Sequence, residues 1–593
     1  MPTLIPGGSF LISTIKPEDC FFPEDFTAEH KQIAQTTADF ATNEILPASD
    51  AIEAKDFAVT RRLIHEAAAL GLTAIDIPEE YGGLEMDKAA SAIVAENISR
   101  QGSFSVAFSA NTGIGTLPIV WYGTPEQKQK YLPKLADGTY IGAYALSESS
   151  SGSDAVNANT RAVLSTDGQT YTLNGEKMWI TNGGFADIFT VFAKCLVPEG
   201  KDAGKERLTA FLIEKGTPGF TPGKEEHKLG IRGSSTCPLI LTDCKVPATN
   251  LLGEVGKGHH IAFNILNVGR YKLGNAAIGG AKTAFNSGLR YAKERKAFGK
   301  SISEFGLIQE KLADMATALF ATEALCYRTV GLIDRALAEV EKNDTREIQR
   351  RIEEYAVECS IVKVHASEML DMVVDENLQI FGGYGFVEDY PAERAYRDSR
   401  VNRIFEGTNE INRLIITGWL MKSAMSGKLA LMPAIQSIMD EVMSGPVAKE
   451  DREGPLAAEY DLLASAKKII LFTAGAATQR YMQKMADEQE VMGALADMIL
   501  ELYAMESAIL RADKGWSKNE TSTPIAMARL YADKAFSTIE LRARKVVAAA
   551  AEGDMARTQF AILRRLAKHD TIDTIALRRQ IAQHLIKVGK YAL

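Results

Sequence analysis

From Thr27 to Val120 the apolar positions recur at helical spacing. Ile33, Thr37, Phe40 and Ile45 share one face of a helix predicted over 27–45, and Pro47 follows its end. A second helix runs over 59–70 and stops at Gly71; a third covers 87–100. A fourth, over 104–120, contains Gly113 and Gly115. Each glycine inside a helix costs about 1 kcal/mol against alanine. The pair therefore signals either close helix packing or room for something long and thin beside the helix. Residues 1 to 25 form an arm without a clear period, and Pro78-Glu79-Glu80-Tyr81-Gly82-Gly83 is a turn cluster.

Near residue 140 the period shortens. Short β-rich runs over 140–145, 161–165, 171–174, 187–193 and 208–213 are bounded by Gly, Asn, Asp or Pro. Thr166-Asp167-Gly168-Gln169 reads as a hairpin turn and Asn174-Gly175 as a second turn. Strand signals continue over 237–242 and end near Pro247. The β segment is of domain size.

Helical periodicity returns at Gly258, with amphipathic runs over 261–294, 303–341, 345–381 and 411–426. Ser444-Gly445-Pro446 and the charged stretch Lys449 to Pro455 read as a linker. Helices then cover 456–514, 524–551 and 555–589. Four units follow: an N-terminal arm and helical domain (1–140), a middle β domain (141–255), a helical domain (256–428) and an additional helical domain (429–593).

Composition narrows the function classes. A chain of 593 residues is too long for one core. Its formal charge of -9 argues against nucleic-acid binding as the main role. The six cysteines include no C-x-x-C pair, which excludes a zinc ribbon and points to a reducing compartment. His259-His260 has no further ligand at metal spacing. No apolar run is long enough for a bilayer, and the start carries neither a basic n-region with an apolar core nor an Arg-rich transit pattern. A cytoplasmic protein is expected.

Dinucleotide fingerprints fail. Gly113-Ile114-Gly115 lacks the third glycine and a preceding strand, and Gly253 to Lys257 falls short of a P-loop. Three other stretches carry chemistry. The loop Tyr144 to Asp154 offers serine hydroxyls and bare backbone N–H groups, or is simply a flexible loop. Lys177-Met178-Trp179-Ile180-Thr181-Asn182-Gly183-Gly184 sets a Trp beside a Thr hydroxyl, able to cover and hydrogen-bond a flat ring or to fill a core. In Arg403-Ile404-Phe405-Glu406-Gly407-Thr408-Asn409-Glu410-Ile411 a carboxylate stands in an apolar turn ahead of a helix that Thr408 or Asn409 would cap. Glu406 is a candidate general base, tunable by burial and neighbouring N–H groups, or an acidic residue favouring a helix dipole.

Taken in order, the serine-rich loop, Lys177 to Gly183, Glu294-Arg295-Lys296-Ala297-Phe298-Gly299, Gln379-Ile380-Phe381-Gly382-Gly383-Tyr384-Gly385 and Phe405-Glu406-Gly407-Thr408 resemble the acyl-CoA dehydrogenase family over residues 25 to 425. The helices from about 430 make the very-long-chain branch the most similar. The resemblance implies an α+β fold with an N-terminal helical domain, a middle β domain, a C-terminal four-helix bundle and the extra helical domain. It also implies FAD bound between domains. Tyr144, Leu146, Ser147, Gly152 and Ser153 would form the flavin loop. Trp179, Ile180 and Thr181 would stand beside the isoalloxazine. Arg295, Phe298, Gln379, Ile380, Phe381, Gly382 and Gly383 would reach the FAD of a neighbouring subunit, and Thr408, Asn409 and Glu410 the adenosine end. Ser153, Asn267, Arg270 and Gly407 would meet the acyl-CoA.

The family resemblance makes Glu406 the base that removes a proton α to the thioester while hydride leaves the β carbon for the flavin. Some relatives carry the base on the residue before the active-site arginine; here that residue is Gly269, which leaves Glu406. The implied activity is oxidation of long-chain acyl-CoA in fatty-acid β-oxidation, with electrons passed to an electron-transfer flavoprotein. The implied assembly is a homodimer or a dimer of dimers. The alternatives are an acyl-CoA oxidase and an assembly or scaffold protein on the same fold. Ser147-Glu148-Ser149 departs from the family's Thr-Glu-Pro and loses the proline's rigidity. Phe305 and Gly306 replace residues that are often polar in relatives. For the extension, with Leu463, Ile470, Phe472, Met482 and Met485 on an apolar stripe, two readings stand. One is a bundle packed on its own subunit; the other is a peripheral membrane contact through Arg542 to Lys545 or Arg564-Arg565.

Overall fold

The computed structural model describes residues 4–342, 344–444, 452–516 and 518–593. The expected linker falls largely on 445–451, outside the described residues. The N-terminal helices are Ala28–Phe40, Phe57–Ala69, Lys88–Ile98, Gly102–Ala110 and Pro125–Ala136. The first is capped by Thr27, whose hydroxyl accepts from the His30 N–H at 3.1 Å. The fourth predicted helix is broken. After Ala110 a π turn spans Asn111–Gly115, and a new helix starts at Leu117.

The two glycines of that turn have different surroundings. A Cβ on Gly115 would lie 2.7 Å from the backbone of Gly142, so Gly115 lets the turn pack on the first β strand. Gly113 faces a cavity, and a Cβ there would meet only the Lys272 side chain, at 3.8 Å. Close packing explains Gly115; open space explains Gly113.

The middle unit is one eight-stranded sheet. Its strands are β1 (Gly142–Ala145), β2 (Arg161–Leu164), β3 (Thr170–Thr181), β4 (Ile188–Leu196), β5 (Glu206–Glu214), β6 (Phe220–Pro222), β7 (Thr236–Pro247) and β8 (Leu251–Leu252). The order is β6-β7-β3-β2-β4-β5-β8, with β1 parallel to the first half of β4 and β2 parallel to its end. The hairpin at Asp167-Gly168 joins β2 to β3. Asn174-Gly175 is not a turn. It is a bulge inside β3, where the register against β7 shifts and Gly175 takes φ +149. Thr160 leaves no room there for a Cβ. A second shift, between Lys177 and Ile180, carries Trp179.

The long helices Gly258–Glu294, Gly306–Leu337, Ala356–Phe381 and Asn409–Met425 pack into one helical unit. The predicted 345–381 helix is two, because Tyr355 breaks it. In the extension the helices are Leu431–Ser444, Ala457–Tyr481, Gln489–Trp516, Thr523–Ala550, Gly553–Leu566 and Thr574–Val588. The predicted 456–514 helix is interrupted at Met482, which has φ +47, and the predicted 555–589 helix is interrupted at 567–573.

The extension packs on its own chain. Leu463, Ile470 and Met485 are buried in the core shared with the helical unit, and Arg328 pairs with Glu506 at 2.7 Å with both side chains buried. The N-terminal arm is tied down as well. Phe10, Leu11 and Phe22 are buried, Gly8 donates its N–H to Glu358 at 2.7 Å, and Glu24 pairs with Arg511. Its apolar residues show no period because they are spread over separate short 3-10 turns, Phe10 and Leu11 on Ser9–Leu11 and Phe22 at the start of Pro23–Asp25. No helix among the described residues is long and apolar enough to cross a membrane.

Candidate active site

Glu406 lies in the turn between the 3-10 segment Arg400–Arg403 and the helix that starts at Asn409. Glu406 and Gly407 both have left-handed backbones, φ +56 and +82. For a glutamate that conformation is uncommon and marks strain held by its surroundings. The restraints are visible. The Gly407 carbonyl accepts from Lys363 Nζ at 2.7 Å and from Asn412 Nδ2 at 2.8 Å. Thr408 caps the helix, its hydroxyl accepting from the Ile411 N–H. Arg270 Nε stands 3.5 Å from the Glu406 carbonyl.

The twisted turn sets the Glu406 side chain against Gly269. A Cβ at Gly269 would sit 2.8 Å from Glu406 Oε2, so the missing side chain makes the space the carboxylate occupies. Oε2 is sealed from solvent and has no hydrogen-bond partner. Burial pushes this carboxyl up to about 7, against the opposing charges of Arg270 and Lys363. Burial also pushes Lys363 down to about 7, against the charge of Glu406. Arg270 is buried, and its second anchor is Asn267, whose Oδ1 accepts at 2.8 Å. Tyr144 is close enough that the Glu406 charge, after burial, raises its phenol.

Glu406, Phe405, Gly269 and Thr181 close one end of a cavity of about 420 Å³. One wall is Ser109, Ala110, Gly113 and Ile114. Another is the face of the Gly258–Glu294 helix that carries Ala276, Gly280, Thr283 and Ser287, and the far end reaches Arg290 and Arg394. From Gly269 to Arg290 that helix rises about 31 Å at 1.5 Å per residue.

The serine loop follows β1, whose Tyr144 lies within reach of the Glu406 charge. Its Glu148 is pinned from behind by the fully buried Lys177 at 2.6 Å, and also accepts the Thr160 N–H. Lys177 holds the Glu148 carboxyl below its usual range, outweighing burial, which acts the other way. The Ser147 carbonyl accepts the Met178 N–H at 2.9 Å. This anchoring stands where the loop lacks a proline, and it leaves Gly152 and Ser153 exposed. Trp179, at φ +59 on the bulge, is 57% exposed, an open aromatic face near the cavity. An open indole, a Thr hydroxyl at the cavity wall and a braced loop with free N–H groups fit a flat, phosphate-bearing cofactor.

Several sequence-predicted residues take other places. The Leu146 and Ile180 side chains are buried in the core, and the largely buried Ile380 and Phe381 line a hollow with Gly382 and Gly383. Phe381 stacks on Tyr291 at 4.2 Å. Arg295, Gly382 and Gly383 line this hollow with Tyr384, while Gln379 and Phe298 are exposed, Phe298 at 96%. Within the single chain these five residues stand apart from Thr181 and Glu406. Glu410 is exposed, but the Asn409 amide is turned inward and buried. It accepts from Lys363 at 2.6 Å and donates to Glu368 at 3.0 Å. Sequence reasoning missed Lys363 and the roles of Lys177 and Gly269. The signal for Lys363 was a lone lysine inside the apolar run Ile361-Val362-Lys363-Val364.

Models for acyl-CoA dehydrogenases match the chain in four blocks: the N-terminal domain over 27–139, the middle domain over 143–244, and C-terminal domains over 256–421 and 465–565. A probable acyl-CoA dehydrogenase of Bacillus subtilis (strain 168) is 46% identical over 99% of this chain and 98% of its own. The human mitochondrial very long-chain specific acyl-CoA dehydrogenase is 34% identical over 86% of this chain and 78% of its own. The crystal structure of an acyl-CoA dehydrogenase complexed with FAD from Bacillus anthracis matches with a TM-score of 0.95 at 47% identity, covering 99% of this chain and 100% of that one.

Proposed function

The chain belongs to the acyl-CoA dehydrogenase family, and from that premise we propose that it oxidises long-chain acyl-CoA to trans-2-enoyl-CoA with bound FAD, Glu406 acting as the base. The observation that carries the reading is the Glu406 carboxylate, unpartnered at Oε2 and set into the space beside Gly269 on the cavity wall.

An α C–H is a very weak acid, so the base needs both reach and basicity. Burial supplies the basicity by raising its pKa to about 7. The left-handed turn fixes the reach, and Lys363, Asn412 and Arg270 hold that turn through its carbonyls. Arg270 and Lys363 stabilise the carboxylate while it waits as the anion. Trp179, Thr181 and the Ser147–Ser153 loop are the residues fitted to hold FAD. When bound, FAD supplies the acceptor for the hydride that leaves the β carbon.

Chain length follows from the cavity. The cavity lining extends along the helix from Gly269 to Arg290, a rise of about 31 Å. Ala110, Gly113, Ala276 and Gly280 leave that run open. This supports a long acyl tail; family membership supports fatty-acid β-oxidation as the setting and an electron-transfer flavoprotein as the acceptor. The exposed Phe298 and the open hollow at Gly382-Gly383 support completion of the cofactor site by a second subunit.

The test is spectroscopic. Anaerobic palmitoyl-CoA should bleach the flavin of the purified protein, and Glu406→Gln should keep the flavin and abolish the bleaching. Bleaching that persists in Glu406→Gln would remove Glu406 from the role. Oxygen uptake during turnover without an acceptor protein would favour an oxidase.

A further inference from the structure

The turn that carries Glu406 is connected to the C-terminal extension by an unbroken series of polar contacts. The Gly407 carbonyl is held by Lys363, and the same ammonium holds Asn409 Oδ1 at 2.6 Å. Asn409 Nδ2 donates to Glu368 Oε1 at 3.0 Å. Arg413, one turn further along the helix, grips both oxygens of Glu368 at 2.8 and 3.0 Å. The remaining face of its guanidinium donates through Nε to Asp497 Oδ1 at 2.7 Å. Asp497 belongs to the extension helix Gln489–Trp516, and its other oxygen pairs with Arg542 of the next extension helix at 2.9 Å.

Bidentate arginine pairs fix direction as well as distance. Arg413 is shared between two carboxylates on different helices, so its position depends on both. Without Asp497 the guanidinium answers to Glu368 alone. The first turn of the Asn409–Met425 helix then loses its outer restraint, two contacts away from Glu406.

We propose that Asp497, contributed by the extension, is a positioning residue for Glu406, acting through Arg413, Glu368 and Asn409. The proposal rests on Glu406 being the base and gives the extension a part in turnover beyond bundle packing. None of Asp497, Arg413, Glu368 and Asn409 lines the cavity, so the relay acts on the orientation of the base rather than on the walls of the cavity. Misplacement of a reacting group by about 1 Å can cost 10²-fold in rate, and a looser turn gives a smaller loss.

The experiment compares full-length, FAD-loaded variants by flavin content, melting temperature and steady-state kinetics with palmitoyl-CoA. Asp497→Ala is expected to lower kcat about tenfold with KM within twofold, and Asp497→Glu to recover most of the loss. Asp497→Asn, similar in shape, carries the test if Asp497→Ala does not fold. Glu506→Gln disturbs the buried Arg328 pair elsewhere in the same docking surface. It should lower the melting temperature and leave kcat intact. Wild-type kcat in folded Asp497→Ala, or in Asp497→Asn, overturns the proposal. So does a kcat loss in Glu506→Gln that tracks its melting temperature as closely as in the Asp497 variants. Failure of the base assignment is a different result: Glu406→Gln would itself remain active.

Discussion

Gly269→Ala separates stability from catalysis at one position. Gly269 lies inside the Gly258–Glu294 helix, where alanine is favoured over glycine by about 0.5–1 kcal/mol. The new Cβ would stand 2.8 Å from Glu406 Oε2 and 3.0 Å from its Cδ, whereas ordinary contact begins at 3.4 Å. Oε2 must therefore retreat by at least 3.4 − 2.8 = 0.6 Å. The obstacle is the end of a side chain, so the fold absorbs the change. The base is displaced by more than half the 1 Å that can cost 10²-fold in rate, so kcat should fall about ten- to a hundredfold. The assay is dye-linked turnover of palmitoyl-CoA beside a thermal melt of the FAD-loaded protein. The expected result is an unchanged or raised melting temperature with that loss of kcat. A kcat within threefold of wild type would refute the claim that the carboxylate works from the space beside Gly269.

Glu406 titrates at about 7, and its anion is the active form, so kcat/KM should fall about tenfold per pH unit as pH drops below 7. Lys363 lowers that pKa by its charge, so Lys363→Met should move the acid limb of the pH profile upward; an unmoved limb would remove Lys363 from the site's electrostatics. Lys177→Met leaves Glu148 buried without its cation, and loss of one partner of such a pair costs about 3–5 kcal/mol. Denaturant titration and flavin retention should both record that loss. Gly113→Leu should shorten the preferred acyl chain in a chain-length series, because its Cβ would stand on the cavity wall with only the Lys272 side chain beside it, at 3.8 Å. Gly115→Ala should instead lower the melting temperature by overpacking against Gly142, with the chain-length profile unchanged.

Fold class and element order were legible because the periods are strong: 3.6 in the helical blocks and 2 in the sheet. Boundaries failed where the backbone conformation is set by a neighbour. Asn174-Gly175 carries turn residues, yet Thr160 and the β7 register make it a bulge. Nothing local in Met482 announces the left-handed break in the 456–514 run. At the site, the motif pointed to Glu406, but the chemistry that tunes it comes from residues far along the chain. Gly269 and Lys363 act by where they sit against the turn, and neither spacing nor composition carries that information. Asn409 shows the limit from the other side. Its motif suggested a ligand contact, while packing against Lys363 and Glu368 turns its amide into the protein.

The central claim is proton abstraction by Glu406, and it can be measured apart from flavin reduction. 3-Thiapalmitoyl-CoA has no β C–H to lose, so in D2O the FAD-loaded protein can only exchange its α protons. The account predicts exchange by the wild-type protein that slows as pH falls through about 7 and is abolished in Glu406→Gln with its flavin retained. Exchange at the wild-type rate in Glu406→Gln would contradict it and place the base elsewhere.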